Sequence, residues 1–273
     1  MFSLWGKQKA ALLIVFSMIA GLLCHYSSLT DRDAKGSRSV DLLRNWYKVY
    51  QTEGNPIAAD AAGPGGEYSG CDSLNPGSQI WVIKGVKNRR MVACRVSIGY
   101  RAYKVFNGVR ANGFVTVGHG VREARDSYVY RTSGGSGIIG RIEVCKYSNQ
   151  ADASFISLLN QNTVTQKTPN GISISSNVYK VKNHDRVCMY GGVSGYIPNV
   201  EVCGFEDAEY DGITLKDTIV TELMSVKGDS GSPVFYKSGS TYRLVGIVVA
   251  DNDISTAIEP ESRIRSAIGA IPY

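Results

Sequence analysis

The stretch Lys227-Gly228-Asp229-Ser230-Gly231-Ser232-Pro233-Val234-Phe235 constrains this chain more than any other. It reads as a tight turn, bracketed by glycines, that presents a serine and passes at once into an apolar strand. Glycine tolerates φ > 0 and lets a ligand approach the backbone. With no side chain on Gly228, its N–H and that of Ser230 can point into one concavity, and two such donors suit an anionic tetrahedral centre. A hairpin turn made of common turn residues is the plainer reading. A base elsewhere in the chain decides between them.

The chain has 3 histidines. His25 borders an apolar N-terminal run. His184 lies in the charged stretch Lys182-Asn183-His184-Asp185-Arg186 and reads as a solvated turn. His119 ends the β-branched run Gly113-Phe114-Val115-Thr116-Val117-Gly118, an imidazole held at a strand tip, and is the candidate base. A carboxylate is then needed to fix the imidazole tautomer. Of the aspartates between His119 and Ser230, most sit in polar surroundings such as Glu206-Asp207-Ala208-Glu209-Tyr210-Asp211. Asp152 stands between Ala151 and Ala153 and leads into Phe155-Ile156-Ser157-Leu158-Leu159, a strand bound for a core. It is the candidate orienting acid; a simple strand-start aspartate is the alternative.

The order His119, Asp152, Ser230 and the motifs around each resemble the chymotrypsin-like serine peptidases, most of all the bacterial α-lytic protease and streptogrisin branch. The resemblance covers roughly residues 79–273, with 33 residues from His119 to Asp152 and 78 from Asp152 to Ser230. It implies an all-β fold of two six-stranded antiparallel barrels, split near 165, with a short C-terminal helix. By the same resemblance Cys188 and Cys203 bracket a glycine-rich hairpin and form a disulfide, and Ser255–Pro260 is the last strand before a closing helix. Met224 and Ser225 would form the base of the primary substrate pocket, and Ala250 and Asp251 part of its wall. An apolar floor suits an apolar side chain and Asp251 a basic one, so the preference stays open.

Three positions depart from the family pattern. Gly120 stands where a cysteine usually follows the histidine, which leaves Cys94 to pair with Cys71 or Cys145. Ser232 replaces a commoner glycine. The strand Leu244–Asp251 lacks the serine that usually hydrogen-bonds the aspartate, so the orienting network is either weaker or completed by another group.

Residues 1–28 read as a signal peptide or uncleaved signal anchor: Lys7 and Lys9 precede an apolar run over residues 10–24, and no clean cleavage site follows. This places the chain outside the cytoplasm, secreted or tethered to a membrane, where disulfides persist. Residues 29–78 read as a linker or short pro-segment, with a short helix near residues 40–47 and a breaker at Gly63-Pro64-Gly65-Gly66. Beyond Ser78 come many short β-rich runs separated by turns, in two sets, as an all-β barrel or sandwich requires. The net charge of +6 comes without blocks of like charge, which excludes a nucleic-acid surface. His and Cys show no metal-ligand spacing, and no cofactor is implied. The expectation is a monomeric serine endopeptidase acting on polypeptides through His119, Asp152 and Ser230, with Gly228 and Ser230 as the oxyanion hole. The alternatives are an inactive protease-like binding module and a membrane-tethered structural protein.

Overall fold

The structure is a computed structural model that describes residues 73–87, 90–159 and 162–273. The apolar run at 10–24, the helix near 40–47, most of the linker and Cys71 lie outside the described residues. No helix among the described residues is long and apolar enough to cross a membrane.

The first half carries β1 (Ser73–Leu74), β2 (Gln79–Lys87), β3 (Arg90–Ser97), β4 (Arg101–Phe106), β5 (Val109–Thr116), β6 (Tyr128–Tyr130), β7 (Ile138–Ser148), β8 (Ala151–Leu158) and β9 (Thr163–Val164). The second carries β10 (Ile174–Val178), β11 (Arg186–Gly191), β12 (Gly195–Tyr210), β13 (Ile213–Glu222), β14 (Pro233–Ser238), β15 (Thr241–Asp251) and β16 (Ser255–Pro260). Helix α1 (Glu261–Ile268) and β17 (Ile271–Pro272) follow. Ser73–Leu74, expected in the linker, already belongs to the fold, because β1 pairs in parallel with β9.

In the second half each of β11 to β16 pairs with its neighbours in the order β15, β14, β11, β12, β13, β16, and β16 pairs back onto β15. Those pairings close the expected six-stranded barrel and leave β10 as an attached parallel strand. The first half differs from a six-stranded expectation. Its sheet runs β17, β4, β5, β8, β7, β6, β2, β3: the short β6 stands between β7 and β2, and the chain end returns after α1 to add β17 to the edge of β4. The division between the two sheets falls between β9 and β10, near the expected 165.

Apolar residues explain both interiors. Val187, Met189, Val202, Val234, Val245, Val248 and Ile258 converge from five strands into the core of the second barrel. β-Branched side chains suit this pleated packing. In the first, β8 lies between β5 and β7 and is buried along nearly its whole length. Its small residues Ala151, Ala153 and Ser154 let neighbours approach on both faces, and this carries Asp152 out of water.

The expected Cys188–Cys203 disulfide is not formed. β11 and β12 pair with Arg186 opposite Glu201 and Met189 opposite Ile197, with a bulge after Val187. Val202 exchanges backbone bonds with His184 and Asp185, so Cys203 lies level with the chain before β11. That is four residues or so from Cys188, roughly 13 Å along a strand, whereas a disulfide needs Cα atoms within about 7 Å. Cys188 is buried with the Tyr196 hydroxyl 3.7 Å from its sulfur, while Cys203 is exposed. Gly120 packs against Val96 rather than Cys94: a Cβ there would strike the Val96 side chain.

Candidate active site

His119 and Asp152 come from adjacent strands. β5 pairs with β8 with Thr116 opposite Ser154, and the chain runs on through Val117 and Gly118 to His119. Two residues back along β8 is Asp152, so its carboxylate meets the end of the β5 extension. Asp152 Oδ1 accepts the backbone N–H groups of Gly118 and His119, both at 2.7 Å. Oδ2 lies 2.6 Å from His119 Nδ1. A carboxylate can only accept, so the shared proton sits on Nδ1, and in the neutral imidazole Nε2 carries the lone pair. Asp152 is fully buried and His119 is 8% exposed.

A fourth donor completes the carboxylate. The Tyr210 hydroxyl donates to Oδ2 at 2.8 Å from the far end of β12. Tyr210 is buried, and burial, with the Asp152 charge beside it, pushes its hydroxyl pKa well above the ordinary value, so it remains a donor. The rings of Tyr210 and Tyr147 meet the imidazole edge-on at 6.4 and 6.5 Å.

The serine comes from the other barrel, on the turn before β14. Gly228 and Gly231 hold φ values of 104° and 90°, a region other residues enter only under strain. At Gly228 a Cβ would also stand 2.8 Å from the Arg95 guanidinium. Ser97 of β3 secures the turn across the barrels: its N–H donates to Ser230 O at 2.8 Å and its hydroxyl to Gly228 O at 3.0 Å. Gly231 N–H donates to Val248 O at 2.8 Å. The N–H groups of Gly228 and Ser230 take no part in these bonds. Ser230 itself is part-exposed.

Asp229 faces inward and is fully buried. Its Oδ1 accepts Val193 N–H at 2.8 Å and Ser194 N–H at 3.2 Å. Its Oδ2 accepts Val226 N–H at 3.0 Å and a short bond from the Ser194 hydroxyl. Gly191 makes room, since a Cβ there would lie 2.5 Å from Oδ1.

The expected pocket residues gather around a residue the sequence did not single out, Thr256. Its Oγ1 accepts Met224 N–H at 3.0 Å and Ser225 N–H at 3.2 Å. The Ser225 hydroxyl donates to Asp251 Oδ2 at 3.0 Å, and β15–β16 pairing sets Ala250 opposite Ala257 and Asp251 opposite Thr256. Burial raises the Asp251 pKa and the Ser225 bond lowers it, the first effect being larger. The Met224 side chain is buried and packs in the core of the second barrel. His184, read as solvated, is exposed and bonded to Glu201 at 2.8 Å. No three His, Cys, Asp or Glu side chains gather to hold a metal ion among the described residues.

This arrangement of two sheets is the chymotrypsin-like fold of the α-lytic protease and streptogrisin type. Thermobifida fusca protease A is 20% identical, with 74% of this chain and 98% of that one aligned at a TM-score of 0.56. The Nocardiopsis protease NAPase is 20% identical over 74% and 99% of the two chains at 0.56. A glutamic acid specific serine protease described as using a histidine triad in substrate binding is 20% identical over 73% and 100% at 0.57. No protein-family profile and no curated protein sequence matches the chain.

Proposed function

We propose that this chain is a serine endopeptidase in which His119, Asp152 and Ser230 act as a triad. One observation carries the reading: a 2.6 Å bond ties His119 Nδ1 to a carboxylate with no exposure, and the Ser230 turn of the second barrel is bonded to Ser97 of the first. An imidazole so held exposes Nε2 as a base. His119 takes the Ser230 hydroxyl proton as Oγ attacks a peptide carbonyl, and the carbonyl π electrons move onto oxygen. The N–H groups of Gly228 and Ser230 stabilise that oxyanion, each worth about 3 kcal/mol. When the C–N bond breaks, His119 gives its proton to the leaving amine. Water, deprotonated by His119, then releases the acyl group and Ser230 regains its proton.

The Tyr210 hydroxyl donates to Asp152 while β15 offers no serine there, which supports the active reading over the inactive binding module. With Ser225 and Asp251 as pocket residues, the carboxylate bonded to Ser225 disfavours an acidic side chain and suits lysine or arginine. The apolar run at 10–24 supports action outside the cytoplasm on polypeptide substrates.

Hydrolysis of a fluorogenic peptide library by wild type and by Ser230→Ala tests this. The alanine variant is expected to lose on the order of a million-fold in kcat. Equal turnover by the two proteins would overturn the mechanism.

A further inference from the structure

We infer that Tyr210 is a positioning residue for Asp152, delivered by a hairpin built to reach from the second barrel onto the first. The inference rests on the triad reading above.

The hairpin joins β12 and β13 through Asp211 and Gly212, with φ of 47° and 83°. Two left-handed residues make the tight turn that suits twisted strands, and they set Tyr210 opposite Ile213 at its base. A register shift between Glu206 and Ala208 re-aims the outer part of the hairpin. Its tip is then fastened to the first barrel on several sides. Arg122 Nη2 pairs with Asp211 Oδ2 at 2.6 Å, and the same guanidinium stacks 4.0 Å above the Tyr147 ring. The Tyr147 hydroxyl donates to Asp211 O at 3.2 Å. Thr214 N–H donates to Asn149 Oδ1 at 2.9 Å.

So held, the Tyr210 hydroxyl reaches the same oxygen that holds the imidazole. β15, the strand expected to offer a hydroxyl there, carries Val248, Val249 and Ala250. Two bonds to Oδ2 and two to Oδ1 leave the carboxylate no freedom to rotate about its Cβ–Cγ bond, and the imidazole plane is fixed with it. A donor on Oδ2 also spreads the carboxylate charge, which tempers its hold on a protonated His119. The ionisable groups facing Asp152 are His119, Tyr210, Tyr147, Glu259 and the Cys145 thiol.

Tyr210→Phe removes only the hydroxyl. Peptide hydrolysis by the variant should show kcat down about tenfold with KM unchanged, the loss of one bond to a charged acceptor. The acid limb of its kcat/KM profile should move to higher pH, because the imidazolium is held more strongly. A merely structural tyrosine would lower thermal stability without moving that limb. Wild-type kcat and an unmoved limb in the variant would overturn the inference while leaving the triad intact. An inactive wild type would instead overturn the function itself, and the inference with it. Should the variant not fold, proton NMR of the wild type decides. The low-field Nδ1 proton of His119 should show a cross-peak to the Tyr210 hydroxyl proton, and its absence would overturn the assignment.

Discussion

Asp152 and Asp229 are both aspartates with no exposure, one in each barrel, and each receives four hydrogen bonds. A buried carboxylate costs several kcal/mol unless its lone pairs are met. Both sites meet that requirement, with different donors. Asp229 takes three backbone amides and one serine hydroxyl, none of which changes charge near neutral pH. It therefore fixes the shape of a loop and nothing more. Asp152 takes two amides, a tyrosine hydroxyl and an imidazole, and the imidazole can exchange a proton. The same side chain braces a backbone in one barrel and orients an imidazole in the other, and the donor set decides which. The Asp229 cradle uses Val193, Ser194 and Val226, all of the second barrel, while Ser97 of the first ties down the outer side of the Gly228–Ser230 turn.

The largest effect should come from turning one donor set against its acceptor. Asp152→Asn presents an amide to groups that all donate, and Nδ1 of His119 must then accept. Turnover should fall about 10⁴-fold as the wrong tautomer is imposed. Steady-state kinetics on a folded variant measures this, and a loss below tenfold would mean that Asp152 does not set the tautomer. Asp229→Asn should cost less in chemistry, about 10² to 10³ in kcat, because the turn and its N–H pair relax. It should also lower the melting temperature, which Asp152→Asn shares. A normal pH profile in the residual activity would separate the brace from the orienting acid.

A third buried carboxylate sharpens the contrast by being poorly met. Glu259 has no exposure, and its nearest cation is Arg263 at 3.6 Å. Burial pushes its pKa up to about 8, with Arg263 lowering it and the Asp152 charge raising it. The folded state thus keeps a proton that the unfolded chain gives up near pH 4.5. Stability is fully present below that value and is lost as pH rises towards 8. Glu259→Gln should melt like wild type at pH 5 and on the order of 5 °C higher at pH 8.5, seen by thermal denaturation. Asp251 and Glu261 are shifted in the same direction, so a smaller slope remains in the variant. A pH-independent difference would mean that Glu259 does not titrate in this window.

Local chemistry was legible in the chain, and its long-range geometry was not. The Gly228–Ser232 turn, the strand ending at His119 and the small residues around Asp152 each state their conformation within a few residues. The two sets of strands follow from alternation and turn residues. Tyr210 was hidden because its partner lies 58 positions earlier and Glu206–Asp211 reads as a solvated acidic stretch. Asp211-Gly212 is itself a hairpin signal, and would have set Tyr210 at a strand end. β12 was legible only in part, since Gly195, Pro198 and Gly204 interrupt a strand of 16 residues. The mispaired cysteines failed on register: one bulge after Val187 and a strand running past its partner decide which residues meet.

The most direct test is labelling by a fluorophosphonate, with the modified residue mapped by mass spectrometry, in the wild type, Ser230→Ala and His119→Ala. The proposed triad of His119, Asp152 and Ser230 predicts one label per chain, on Ser230, absent from both variants. A folded wild type that stays unlabelled, or that is labelled at another residue, would contradict it.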